Sequence, residues 1–323
     1  MNKRKLAKKY SDENPNTPTK TLARHMLAKE PFIFDSLENA YAAMRYARGQ
    51  MGKANRKTVG LARAHEVTLP ESSERVWMPF NLEPDSKDRI ALLSDIHVPF
   101  HNMVALKAAI AESKRIGSTV ILLNGDTMDC HELSKYEKDP RERCFRDEVP
   151  LVRQLLAYLR QEFPKARIIW KDGNHDERLY LYLRRHSPAV LGIDDFVCSS
   201  VLHFSDYGVE YVTDKRPIVC GKLNILHGHE YPGGITAPVN PARGLFLRAK
   251  ACAIQGHQHQ TSEHSEPTLE GKNIACWSTG CLSELHPAYM PLNRWNHGFA
   301  TIQMARDGNF KVSNHKIING EIY

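Results

Sequence analysis

Short apolar runs that end in blocks of oxygen and imidazole donors are the feature that most restricts how this chain can fold. Five such blocks occur in order: Asp95-Ile96-His97, Gly125-Asp126-Thr127-Met128-Asp129, Gly173-Asn174-His175-Asp176, His227-Gly228-His229 and Gly256-His257-Gln258-His259. Most follow a run of β-forming residues, among them Ile90–Leu93, Thr119–Leu123 and Arg167–Trp170. Strand ends are where separate loops converge, so this order gathers carboxylate, amide and imidazole donors that suit a pair of metal ions.

Between the blocks the hydrophobic period changes from strand to helix and back. Helices are expected over Met103–Ile116, Glu148–Phe163 and Glu177–Arg185, giving a βαβαβ order and a parallel sheet with covered faces. Beyond Val209 the helices thin out. Strands are expected there at Val209–Val212, Leu223–Leu226, Ala251–Gln255, Ile274–Ser278 and Phe299–Met304, the last pairing with Lys311–Ile317 across a turn at Asp307-Gly308. The fold class is α/β.

Charge is placed unevenly. Residues 1–62 carry thirteen Lys or Arg against five Asp or Glu, a balance of +8, while the rest (31 basic, 32 acidic) sum to −1. Such a segment points to a polyanionic partner, nucleic acid before a membrane surface, or to a solvated basic tail. Residues 3–10 read as one short basic helix, Thr17-Pro18 as the start of a second, and Ser36 as the cap of a third. The third ends near Gly49, with Arg45, Arg48, Lys53, Arg56 and Lys57 on it or just past it. The expected organisation is a basic helical module over 1–62, which fits either a helix-turn-helix or a small helical bundle with a structural or protein-contact role, a Pro-interrupted connector over 63–88 and a catalytic region over 89–323. Trp77, Met78 and Phe80 mark a part of the connector that packs on the catalytic region.

No apolar run reaches the length of a membrane span, and the N-terminus lacks the apolar core of a signal peptide. Seven cysteines, an odd number without a CxxC pair, argue against a disulfide framework and against a zinc ribbon. A cytoplasmic location and no membrane partner are the expectations.

Taken together, the five blocks resemble the calcineurin-like metallophosphoesterases, across residues 89–323. The basic N-terminus and the stretch Trp295-Asn296-His297-Gly298 resemble the phage-borne examples. The resemblance implies a four-layer α/β/β/α sandwich, here with a small all-α N-terminal module, and two divalent metal ions (Mn, with Fe, Zn or Ni as alternatives). It implies Asp95, His97 and His259 as ligands of one metal and Asn174, His227 and His257 as ligands of the other, with Asp126 bridging them. A metal-bridging hydroxide attacks phosphorus, His175 assists the leaving oxygen and Asp129 orients that histidine. Arg178 is the candidate phosphate clamp, and His229, not a ligand, faces the substrate or supports the ligands. His101 and His131 lie near the metal blocks, where they face either the substrate or the surface.

The departures from the family's protein phosphatases narrow the activity. Those enzymes place Arg-Gly after the second Asp of the second block and an Arg before Gly-Asn-His. Here Cys130-His131 and Asp172 stand in those places, and Asp172 is expected to repel an anion. The expected activity is a phosphodiesterase on nucleic acid or nucleotides. A phosphomonoesterase or protein phosphatase is the alternative, and a nucleic-acid-binding protein with a non-catalytic metal centre is more remote.

Overall fold

The structure, a computed structural model, describes residues 2–59, 69–83, 85, 88–136, 144–231 and 239–323. The chain divides into two compact units, Met1–Arg75 and Val76–Tyr323.

Among the described residues the first unit holds four helices: α1 (Lys3–Glu13), α2 (Thr19–Lys29), α3 (Leu37–Ala47) and α4 (Lys53–Val59). Leu6, Ala7, Leu22, Ala23, Met26, Phe34, Ala40 and Met44 form its core. The Ser36 hydroxyl accepts from Asn39 N at 3.2 Å, the expected cap. Two details differ from expectation. Helix α1 runs on through Ser11 to Glu13, and Pro18 rather than Thr17 occupies the cap position of α2, without a side-chain bond. Arg48 is not a free surface cation. Its guanidinium donates to Thr17 O (2.6 Å) and Asn14 O (2.8 Å), and also reaches Thr19 Oγ1 and Ser11 Oγ, so it ties the α1–α2 turn to α3.

The second unit contains two sheets. Its elements are β1 (Phe80–Asn81), β2 (Arg89–Leu93), α5 (Met103–Arg115), β3 (Val120–Asn124), α6 (Phe145–Glu162), β4 (Arg167–Lys171), α7 (Arg178–His186), α8 (Cys198–Val201), α9 (Phe204–Tyr207), β5 (Val209–Val212), β6 (Ile218–Cys220), β7 (Leu223–Ile225), α10 (Pro241–Ala249), β8 (Ala253–Gln255), β9 (Ser262–Pro267), β10 (Asn273–Ser278), β11 (His297–Met304), β12 (Phe310–Ile318) and β13 (Glu321–Ile322). One sheet runs β13-β12-β11-β2-β3-β4-β5, with β2 to β5 parallel, and the other runs β1-β6-β7-β8-β10-β9.

Side chains alternate across a strand, and that alternation makes the layers. Ile90 and Leu92 of β2, with Val120 and Leu122 of β3, face Ile218, Ile225, Ile254 and Trp277 of the other sheet. Their neighbours Ala91, Leu93, Ile121 and Leu123 face the helices through Ala105, Ala109, Val152 and Leu156. On the far side of the second sheet, Leu245 of α10 packs on Ala253 and Cys276. The result is the four-layer α/β/β/α sandwich. Truncating one inter-sheet residue, as in Leu122→Ala, costs about 2–5 kcal/mol.

Part of the expected connector is structural. β1 pairs in parallel with β6, and Trp77 Nε1 donates to Asp214 O at 3.3 Å, although Trp77 and Met78 stay exposed. Residues 60–68, 84, 86 and 87 of the module and connector lie outside the described residues. β6, β9 and α10 carry no sequence signal strong enough to expect them. β9 reads Ser-Glu-His-Ser-Glu-Pro and is an edge strand, and α10 is short and contains Gly244. All seven cysteines are free. No helix among the described residues is long and apolar enough to cross a membrane.

Candidate metal centre

The five donor blocks follow the C-terminal ends of β2, β3, β4, β7 and β8, three in one sheet and two in the other. Because β2, β3 and β4 are parallel, their loops leave the sheet at one edge, where ligand sites of α/β sheets form. Main-chain bonds zip the loops together: Asp95 N donates to Gly125 O (3.1 Å) and His97 N to Asp126 O (2.9 Å). The backbone is not the extended strand end that the Asp-x-His spacing suggests. Asp95, His97, Asp126, His257 and His259, five of the seven expected ligands, all have φ between 52° and 65°. Left-handed non-glycine residues cost energy and collect at sites where the surroundings hold them.

Three donor sets result. Asp95, His97 and His259 form one, Asp126, His227 and His257 a second, and His97, Asp126 and His175 a third that overlaps both. Asp126 Oδ2 lies 3.3 Å from His227 Nε2 and 3.8 Å from His97 Nε2, so one carboxylate faces the first two. The Nε2 atoms of His97 and His259 approach to 3.3 Å, and His259 Nε2 is 3.2 Å from Asp95 Oδ1. The tautomers follow from the opposite ring nitrogens. His97 Nδ1 donates to Asp129 Oδ1 (2.9 Å) and His227 Nδ1 to Asn124 O (2.8 Å), which leaves each Nε2 as a lone pair aimed inward.

The buried polar atoms test whether cations fit. Asn174 Oδ1 and His227 Nε2 have no hydrogen-bond partner among the described residues, a costly arrangement unless an electrophile completes it. Oxygen and imidazole donors in this number suit first-row divalent metals. Burial depresses the His257 imidazole to about 4, which keeps it in the neutral form a ligand needs. The residues present fit two metal ions.

Glycine is required where the loops touch. A Cβ on Gly173 would strike Asp126, and one on Gly256 would strike Ser94 Oγ and Asp95.

His175 lies at the rim of this centre, its ring 4.4 Å from that of His97. Its Nδ1 is 2.8 Å from Asp129 O and 3.2 Å from Asp129 Oδ1, and its Nε2 is 3.9 Å from Asp126 Oδ2. Burial lowers the imidazole's affinity for a proton, but Asp126 and Asp129 outweigh it and raise the pKa. Asp129 thus touches both His97 and His175. Arg178 does not project freely: it donates Nη1 to Asp129 O (2.7 Å) and Nη2 to His175 Nε2 (3.0 Å). His229 is held by Glu177, with Nε2 to Oε1 at 3.0 Å and only 6% of its side chain exposed. His131 lines the cleft beside the centre, while His101 lies against Met103 Sδ.

Asp172 corrects an expectation. Its carboxyl is buried and accepts from Tyr211 OH at 2.8 Å. Burial and the neighbouring Asp176 push it up to about 8, so it presents no anionic charge to a phosphate at neutral pH.

Three supporting residues escaped the sequence reading. Asp176 accepts from Asp126 N (2.7 Å), Gly173 N (2.8 Å) and Met128 N (3.1 Å), and so fixes two ligand loops at once. Burial and Asp126 raise it to about 6. Lys171, 1% exposed, bonds Glu230 at 2.8 Å, and Glu230 accepts from His227 N (2.8 Å) and Gly228 N (2.6 Å). Against the cost of its burial, Lys171 holds the Glu230 carboxyl down at about 2. Asp176 stands beside the recognised Asn174-His175 pair, a position that could have flagged it. The Lys171–Glu230 pair joins residues 59 positions apart and leaves no local signature.

The chain belongs to the calcineurin-like phosphoesterase family, whose model matches residues 88–275. It is similar to the Gene 54 protein of Mycobacterium phage L5, 28% identical over 180 residues that cover 53% of this chain and 69% of that protein. The Gene 54 protein of Mycobacterium phage D29 is 27% identical over the same extent. Among solved structures, a dimetal phosphatase from Danio rerio aligns with a TM-score of 0.38 at 12% identity, over 74% of this chain and 98% of that one. A Vps29 double mutant from Entamoeba histolytica aligns at 0.36 and 10%, over 73% and 96%.

Proposed function

We propose that this protein is a binuclear-metal phosphoesterase that cleaves phosphodiesters of nucleotides or nucleic acid. The observation that carries the reading is the pair of donor sets on either side of Asp126, with Asn174 Oδ1 and His227 Nε2 buried and unpartnered among the described residues. Asp95, His97 and His259 would hold one cation, and Asn174, His227 and His257 the other, with Asp126 shared; manganese suits this set. Two such cations supply an activated water at neutral pH and positive charge against the phosphoryl oxygens.

The protein's own groups do the rest. Asp129 holds a proton on His175 Nδ1. Arg178 occupies His175 Nε2 until an anionic substrate draws the guanidinium away, which frees Nε2 to take up a proton and assist the leaving oxygen. Among the described residues Arg178 is the guanidinium that touches His175, and one such cation matches a phosphodiester, which carries one negative charge, better than a monoester, which carries two. The +8 balance of residues 1–62 favours a polyanion.

The test is hydrolysis by metal-stripped and Mn²⁺-reconstituted protein of a bis-aryl diester, an aryl monoester, cyclic nucleotides, DNA and RNA. The expected result is no turnover without metal, two metals per active chain, and diesters preferred. Full activity after thorough stripping would sink the assignment, and a preference for the monoester would move the substrate class.

A further inference from the structure

The metal-centre residues His97, His259 and Asp129 form one end of a cleft of about 280 Å³. The opposite wall belongs to the segment between β10 and β11, which is pinned to the ligand loops by Leu282 N to Asp95 O (3.0 Å) and Asn296 N to His259 O (2.9 Å). Three aromatic rings line the cleft. Trp295 packs on His259 at 4.2 Å between centroids, Tyr289 lies 6.4 Å from Trp295 at 64°, and Phe100 stands on the loop after β2. Tyr289 and Phe100 are 69% and 37% exposed, so apolar ring surface faces solvent at the mouth of a reactive site. Surface of that kind marks a place where a ligand covers it.

The polar groups say what kind of ligand. Among the described residues none of the lining is Lys or Arg, and two, Asp129 and Glu284, are carboxylates. A second phosphate is therefore repelled, and a neutral ring is not. Ser283, 3% exposed, belongs to the lining, and its buried hydroxyl has no partner among the described residues. The volume falls just below the ~300–1,000 Å³ typical of small-molecule sites, which is room for one ring system and not for a stacked duplex.

We propose that this cleft is a nucleobase subsite, in which the base of the nucleotide carrying the scissile phosphate lies against Trp295 and Tyr289 while Glu284 bonds the base edge. The proposal rests on the phosphodiesterase reading and sharpens it: the substrate enters as a free nucleotide or with its base out of the stack.

The test is calorimetric binding of AMP, ribose 5-phosphate and phenyl phosphate to the full-length Mn²⁺-loaded protein. AMP is expected to bind about tenfold or more tighter than ribose 5-phosphate, as base stacking on aromatic side chains provides. Tyr289→Leu and Trp295→Leu are expected to shrink that ratio towards one, and Trp295→Phe to restore most of it, with metal content measured on every variant as the control for folding. Equal binding of AMP and ribose 5-phosphate overturns the subsite, as does a ratio unchanged in Tyr289→Leu. Phenyl phosphate bound as tightly as AMP replaces a base site with a general aryl site. If AMP gains nothing while diesters are still hydrolysed, only the subsite falls; if the two-metal protein hydrolyses no phosphoester, the parent reading falls instead.

Discussion

Arg178 Nη2 donates to His175 Nε2 at 3.0 Å, while the same guanidinium holds Asp129 O through Nη1. A guanidinium is always a donor, so this contact fixes the resting histidine with its proton on Nδ1. The two residues therefore act as a unit. His175→Ala and Arg178→Ala are each expected to lower kcat on a diester with a poor leaving group by roughly 10²-fold. The double variant should lose little more than either single one, whereas fully additive losses would show independent roles. For an activated aryl leaving group, which needs little protonation, the His175→Ala loss should shrink.

Asp126→Asn is expected to weaken both metals together, because Oδ2 faces both His97 and His227. Elemental analysis should show both lost and turnover nearly abolished. His175→Ala should keep its full metal content, since its ring nitrogens already have partners in Asp129 and Arg178. Loss of only one metal from Asp126→Asn would count against a shared carboxylate.

Lys171 and Glu230 form a buried ion pair that shapes the His227 loop. Lys171→Met leaves a buried carboxylate without its counter-charge and should cost about 3–5 kcal/mol of stability. It should also weaken the metal held by His227 and His257 by about 10–100-fold. Denaturant unfolding and metal titration would measure the two effects separately.

Glu148 supplies a pH signature. It is buried, accepts from Cys130 N at 2.8 Å, and burial pushes it up to about 7. With the folded value above the unfolded one near 4.5, its contribution to stability is full below about pH 4.5 and is lost as pH rises through about 7. Glu148→Gln cannot ionise, so its Tm relative to the unaltered protein should rise by a few degrees between pH 5 and pH 8. A difference that stays constant across this range would show that Glu148 is ionised throughout.

In the helical unit, Arg48→Ala should lower stability by about 2 kcal/mol, because its guanidinium bonds acceptors on the α1–α2 turn. Neutralising Lys53 and Arg56 should leave the fold intact and, if this unit grips a nucleic acid backbone, reduce the salt dependence of binding. Circular dichroism melts and binding at two salt concentrations would separate the roles. Unchanged DNA affinity in the Lys53 and Arg56 variants would turn the substrate preference towards small phosphoesters.

The α/β alternation, the identity of the donor blocks and the capping of α3 were legible in the sequence because each depends on residues close together in the chain. Ile90–Leu93 and Thr119–Leu123 read as strands from their own composition, and Asp95, Asp126 and His257 stand where short apolar runs stop. What the sequence could not decide lies in contacts between distant segments. The left-handed backbone at Asp95 and His97 is held by bonds to Gly125 and Asp126 on the neighbouring loop. Asp172 reads as an anion beside the phosphate, yet it turns to Tyr211, and burial keeps it protonated. Arg48 reads as a surface cation, yet it ties a turn 31 to 37 residues away. Local pattern sets which chemistry a residue can offer; the direction a side chain faces, and the charge it keeps there, depend on neighbours and burial that only the packed chain supplies.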